Sequence, residues 1–218
     1  MKIENKFTPI DMETWPNAGT FMAFTQMDLR GFALTVNIDI THMLEAMKDS
    51  GYKFWPTWVW LVTRNLNKQQ DFRVGVEDGV VGYYETLNPL SPILHDDTMT
   101  ITMFTEDYYD SLKEFHEAYM NHVKEFEKIP SGFANQPPHS YFTIASLPWF
   151  SFTHFHTRHE LQKDHFAPLI ETGKFFEENG KKMMPLSMTC HHATLDWYNI
   201  KIFLEDLQAD MENLEKLL

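Results

Sequence analysis

A chain of 218 residues with 43% hydrophobic and 15% aromatic content can bury a sizeable core and is composed like a packed globular protein, not a disordered one. Its formal net charge of −13 argues against nucleic acid or an anionic membrane as the main partner, although a local basic patch could still admit a nucleotide-containing cosubstrate. The single cysteine excludes an intrachain disulfide, MKIENKFTPIDMETW has no signal-like apolar stretch and no uncharged run is long enough to span a membrane, so a cytoplasmic location is expected.

Residues 31–38 (GFALTVNI) alternate apolar with small or polar residues, which predicts a strand. Thr41 can cap a helix over MLEAMKD, with Gly51 placed to end it, and Pro56 suits the first turn of a buried helix that runs to Leu66. In RVGVEDGVVGYYE, Asp78-Gly79 can supply the positive φ angles of a tight hairpin turn. TMTITMF (98–104) reads as a strand with Met and Ile on one face and Thr on the other. Leu112, Phe115, Tyr119, Val123 and Phe126 then recur at three- and four-residue spacing, the stripe of a long helix over 107–128 that Pro130-Ser-Gly ends. SYFTIASLPWFSF is a strand broken or bent at Pro148.

Residues 166–178 are expected as a short helix, 184–190 as a strand and 197–217 as the closing helix. That helix would bury Ile200, Phe203, Leu204, Leu207, Met211 and Leu214. Strands and helices are interspersed without strict βαβ alternation, and no repeat or linker divides the chain. The expected fold is α/β: a two-layer sandwich with a mixed β-sheet packed by helices, in one domain over 1–218.

Chemistry is suggested by MPLSMTCHHATLDWYNI (184–200). Leu186, Met188, Cys190 and His192 alternate onto one strand face, so His192 extends an inward apolar row that would keep its ring neutral, as a general base requires. Asp196 can orient neighbouring groups or balance charge across the turn. On spacing alone the balance favours a satisfied core histidine and a helix N-cap, because a three-residue gap between His and Asp is common by chance. Cys190 reads as a buried, inert thiol, since no separate orienting group is evident. HFHTRH (154–159) approaches the H-x-H-x-D-H spacing of metal hydrolases, but Arg158 stands where the aspartate should be. The segment is read as a strand leaving the core, and no metal is expected.

The surrounding sequence resembles the chloramphenicol acetyltransferase family, whose C-terminal signature is HHAVCDG after a "PL" strand; here it is PLSMTCHHATLDW. Trp15 followed by Phe21, GFALTVNIDIT (31–41), YKFWP (52–56), LPWFSFTHF (147–155) and FAPLIETGKF (166–175) fall in family order and spacing across nearly the whole chain. The resemblance implies a CoA-dependent acyltransferase-like fold and a homotrimer with active sites at subunit boundaries. It implies acetyl-CoA as cosubstrate, no metal, and a hydroxylated small-molecule acceptor, chloramphenicol first, with antibiotic resistance as the outcome. His192 would remove the hydroxyl proton for direct attack on the thioester, and Asp196 would hold the loop that carries the base.

Phe24 and Phe32 are retained from the family's acceptor pocket, with Asp28 and Arg30 inserted between them. The resemblance implies a pocket completed by the neighbouring subunit, including Phe24 and Phe155. Four positions depart from the pattern. Ala145 occupies the place of the oxyanion-donating serine, leaving Ser146 as the alternative donor. Asn17 replaces the arginine that pairs with the aspartate. Glu171 replaces a threonine that helps bind the oxyanion, with Thr172 beside it as a cosubstrate contact. Trp197 replaces a glycine; its indole either lines the channel for the pantetheine arm or, as a residue opening an amphipathic helix, packs inward. These departures motivate a rival reading, a catalytically impaired paralogue that binds a small ligand without acetylating it.

Overall fold

The computed structural model describes residues 5–27, 31–157 and 165–218. The first half contains β1 (Phe7–Pro9), α1 (Ala18–Thr25), β2 (Gly31–Asp39), α2 (Thr41–Met47), α3 (Phe54–Asn67), β3 (Val74–Glu77), β4 (Val80–Tyr84), β5 (Asn88–His95) and β6 (Thr100–Thr105). The second contains α4 (Leu112–Phe126), β7 (Gly132–Phe133), β8 (Tyr141–Leu147), β9 (Leu169–Gly173), β10 (Phe176–Glu178), β11 (Lys181–His191) and α5 (Trp197–Glu212).

Among the described residues, the main sheet has eight strands in the order β10-β11-β9-β8-β5-β6-β7, with β2 also paired to β11. It is mixed: β5–β8, β8–β9 and β6–β7 are parallel, and β5–β6, β9–β11, β10–β11 and β2–β11 are antiparallel. β1, β4 and β3 form a smaller antiparallel sheet. Its hairpin turns at Asp78 and Gly79, whose φ angles of 51° and 78° match the right-handed twist of the flanking strands.

The helices supply the second layer. α3 is buried along almost its whole length, contacts β5 and packs against both α4 and α5. Trp58, Trp60, Leu61 and Val62 are fully enclosed, each a burial of about 1.5–3 kcal/mol for a large apolar side chain. The Trp60 indole N–H donates to the Tyr109 carbonyl, so its polar atom is satisfied inside the core. A second cluster of Phe21, Val74, Phe166 and Ala193 ties α1 and the small sheet to the end of β11.

Several boundaries differ from expectation. Residues 166–178 hold no helix: β9 and β10 lie there, because LIETG inserts between β8 and β11 and is buried on both faces. Asn179 and Gly180, at φ 52° and 77°, then turn β10 into β11. Thr41 is the first helical residue of α2, not its cap; Asp39 Oδ1 accepts from both the Thr41 amide and hydroxyl. α2 ends at Met47, before Gly51. β6 has the two unlike faces expected, and the face carrying Thr102 is the inward one. Thr102 is buried with its hydroxyl donating to the Ile129 carbonyl, while Ile101 is 48% exposed. β8 stops at Leu147, so of the two alternatives at Pro148 the strand is broken there, as expected, and not bent.

Candidate active site

β11 delivers the site. It is buried from Met184 to His191 and held by β2 on one edge and by β9 and β10 on the other. With both faces covered, alternation along it does not separate inside from outside. His191, not His192, is its last residue and is 1% exposed. His192 lies beyond the strand end, half-buried in a turn closed by the Thr194 and Leu195 amides donating to the His191 carbonyl. The expectation that His192 extends the inward row is corrected on this point.

The two histidines carry their protons on different nitrogens. His192 Nδ1 lies 2.9 Å from the Leu195 carbonyl oxygen. A carbonyl can only accept, so Nδ1 holds the hydrogen and the neutral ring keeps its lone pair on Nε2. His191 Nδ1 instead accepts from the Ala193 amide at 3.1 Å, which puts the proton of its neutral ring on Nε2. Phe166 meets the His191 ring edge-on at 4.8 Å in the interior.

Around His192 the walls are aromatic. Phe24, from the last turn of α1, lies 4.4 Å from the imidazole centroid, and Phe32 of β2 lies 5.1 Å away. Phe32 reaches it because β2 pairs with β11 in the register Phe32↔Cys190. Both phenylalanines reach the imidazole from within the same chain. Trp15 and Phe21 dock α1 onto Phe166 and carry Phe24 into place. For Trp197 only the inward-packing alternative is corrected: the residue is 58% exposed, with its ring tilted against Phe32 at 4.2 Å, outside the core.

The remaining expected residues spread along the sheet. Ser146 of β8 is half-buried and lies directly across from Thr172 of β9; Thr172 is 1% exposed, its hydroxyl turned to the Ala145 carbonyl. Phe155 packs on Phe152, and its carbonyl accepts from the Ser187 hydroxyl, well back along β11 from the histidine turn. Glu171 is buried and accepts from the Thr157 hydroxyl. Cys190 is fully buried, and that burial pushes its thiol far above the usual range, as the inert reading expects. His154 and His156 are exposed. Asp28, Arg30, Arg158 and His159 lie outside the described residues. Among the described residues no group of three or more His, Cys, Asp or Glu is arranged to hold a metal ion.

Asp196 is exposed, not buried, and caps α5: its Oδ1 accepts from the Tyr198 and Asn199 amides. Sequence reading missed what stands behind it. Asn199 Oδ1 accepts from the Asp196 amide at 2.9 Å, closing a reciprocal capping box. Asn199 Nδ2 donates to Asp71 Oδ2 at 2.9 Å, and Gln69 Nε2 donates to the Asn199 carbonyl. The D-x-x-N spacing was the available signal. Burial raises the Asp71 carboxyl above its usual value, against the lowering by Asn199, and the Asp196 charge adds to the rise. Asn17 donates to the Ala193 carbonyl at 3.1 Å, a second brace on the same turn. Asn17, Thr20, Asp71, Asp196, Tyr198 and Asn199 line a polar cleft that reaches His192.

A half-buried imidazole with Nδ1 committed and Nε2 basic can take a proton from a hydroxyl brought against its aromatic walls. Comparison with known proteins identifies the family. A family model described as chloramphenicol acetyltransferase matches residues 5–208. The chain is 31% identical over 214 residues to chloramphenicol acetyltransferase 2 of Escherichia coli, covering 96% of this chain and 99% of that one. It is 30% identical over 204 residues to the chloramphenicol acetyltransferase of Staphylococcus aureus, covering 93% and 94%. A solved chloramphenicol acetyltransferase superposes with a TM-score of 0.83 at 20% identity, over 94% of this chain and 100% of that one. A probable dihydrolipoamide acetyltransferase from Listeria monocytogenes superposes with a TM-score of 0.65 at 14% identity, over 97% and 96%. At these identities the superpositions speak for the fold alone, which is the mixed-sheet acyltransferase fold expected from sequence.

Proposed function

Because the chain belongs to the chloramphenicol acetyltransferase family of acyltransferases, we propose that it moves an acetyl group from acetyl-CoA to a hydroxylated small molecule, chloramphenicol first, with His192 as general base. The observation that carries this is the His192 Nδ1 contact with the Leu195 carbonyl, which leaves Nε2 basic between Phe24 and Phe32.

In this reading the acceptor O–H gives its proton to Nε2 as the oxygen bonds to the thioester carbonyl carbon. The tetrahedral oxyanion collapses by breaking the C–S bond, and the departing thiolate takes the proton back from the imidazolium. No acyl-enzyme forms, and base catalysis of this kind contributes about 10²–10⁴-fold. Within one protomer, no contact among the described residues joins Ser146 to His192. A homotrimer would supply Ser146 to the oxyanion from the neighbouring subunit, with Thr172 supporting it from the adjacent strand and Trp197 flanking the approach of the cosubstrate. Among the described residues no helix is long and apolar enough to cross a membrane. A cytoplasmic location, where acetyl-CoA is supplied, and a single catalytic domain over 1–218 belong to the same proposal.

The rival reading, a paralogue that binds without acetylating, draws on Ala145, Glu171 and Trp197. Asn17 does not support it, since its amide holds the turn through Ala193. The test follows free thiol release from acetyl-CoA across a panel of hydroxylated acceptors that includes chloramphenicol. Acceptor-dependent release by a species of about three times the 25.8 kDa chain mass is the expected result. Ligand binding with no release from any acceptor would favour the rival, and a fully active monomer would overturn the shared site.

A further inference from the structure

The Leu195 carbonyl and the Asp196 amide are the two ends of one peptide unit. The carbonyl takes the His192 Nδ1 hydrogen, and the amide gives its own hydrogen to Asn199 Oδ1. A peptide whose N–H is already donated is polarised, which makes its carbonyl a better acceptor, and it is fixed in plane from both sides. An asparagine amide could present either its oxygen or its nitrogen to the Asp196 N–H; only the oxygen can accept. Asp71, as a carboxylate, only accepts, so its contact with Asn199 Nδ2 selects the orientation that turns Oδ1 towards the peptide. Gln69 holds Asn199 from a third direction, with its Nε2 on the Asn199 carbonyl and its Oε1 receiving the Asn199 amide at 3.3 Å.

We propose that Asn199 is a positioning residue for His192, acting through the Leu195–Asp196 peptide unit, and that Asp71 sets the orientation of its amide. The proposal rests on the reading of His192 as the general base. It assigns to a neutral amide relay the support that the family pattern gives to an arginine–aspartate pair, which this chain lacks at Asn17. A helix cap alone would not require Asp71. The carboxylate lies on the far side of the amide from α5, in the 3-10 turn Gln70–Arg73, and brings the sequence before β3 into the same network.

The test compares Asn199→Ala, Asn199→Asp, Asp71→Asn and the double exchange Asp71→Asn/Asn199→Asp in the full-length protein. Chloramphenicol, or whichever acceptor supports thiol release, serves as substrate, with His192→Ala alongside. Asn199→Ala should lower kcat by about tenfold to a hundredfold, the cost of a misplaced catalytic group, with both KM values unchanged. It should also move the acidic limb of the kcat/KM profile to lower pH, because a loosened carbonyl stabilises the imidazolium less. Asp71 and Asp196 are the carboxylates facing this part of the cleft. Asp71→Asn leaves the cap of α5 intact and should fold normally while losing a smaller part of kcat. Asn199→Asp sets two carboxylates against each other; the double exchange restores one donor, one acceptor and an acceptor for the Asp196 N–H, and should recover most of the lost turnover.

If Asn199→Ala and Asp71→Asn lower the melting temperature but keep the parent kcat and pH profile, the relay is only structural and the proposal is overturned. If the double exchange is no better than Asn199→Asp, the role given to Asp71 fails. Full activity in His192→Ala would instead overturn the general base, and the relay with it. Loss in His192→Ala with none in the Asn199 variants would overturn the relay alone.

Discussion

In the turn after β11, His192 is half-buried, its Nδ1 committed to a main-chain carbonyl and its ring held between two phenylalanines. In the segment between β8 and β9, His154 and His156 stand exposed, and His156 meets a threonine hydroxyl at 3.2 Å. The sequence puts two histidines at the first stretch and three, at 154, 156 and 159, at the second. The difference lies in what surrounds the rings: a main-chain acceptor chooses the tautomer in the first, and packing chooses the direction of the free nitrogen. A sequence displays the histidines but not the carbonyl or the walls, and those turn an imidazole into a reagent.

The contrast can be tested at four positions. His192→Ala should cost about 10²–10⁴-fold in kcat, measured by thiol release, because it removes the base and little core. Near-parental turnover would erase the distinction between the two stretches. His191→Ala should act on stability instead. It leaves the buried Ala193 amide without its side-chain acceptor, a cost of about 1–3 kcal/mol in a urea melt, with kcat far less affected than in His192→Ala. Equal losses of turnover in the two variants would mean that the assignment between adjacent histidines is wrong.

Trp197→Gly tests the edge of the site. The exposed indole lies tilted against Phe32, so the unfolding free energy should fall by no more than about 1 kcal/mol, set by helix propensity. A loss of about 3–5 kcal/mol would show that the ring is enclosed in the assembled protein. His156→Ala is the smallest change. Stability should stay within about 0.5 kcal/mol and kcat should hold, and the purified protein should carry no stoichiometric zinc by elemental analysis. Bound zinc lost in this variant would make the exposed stretch the functional one.

Local signals in the sequence were reliable where the backbone itself demanded a residue type. Asp78-Gly79 marked a hairpin because both positions have positive φ, and the stripe from Leu112 to Phe126 marked α4. Reading failed where burial on both faces erased periodicity. LIETG between β8 and β11 carries no alternation and was taken for helix, and β11 misled the assignment of His192 to an inward row. At β6 the two unlike faces were legible but not which one turns inward: the Thr102 hydroxyl is satisfied by the Ile129 carbonyl and so can occupy the core in place of Ile101. At the site, family resemblance supplied His192 and Asp196 as candidates, and the structure puts them at the two ends of one turn. Asn199, Asp71 and Gln69 were not legible, since they meet only after a long excursion of chain between Asp71 and Asn199 has folded.

β11 is sealed on both faces and paired along both edges, and the histidine turn is its direct continuation. Its amides should therefore be among the last in the protein to exchange with deuterated solvent, opening only as the whole molecule opens. The turn inherits that anchorage at one end and the capped start of α5 at the other. Heat inactivation should then coincide with global melting and not precede it, so that any surviving folded molecule is a competent one.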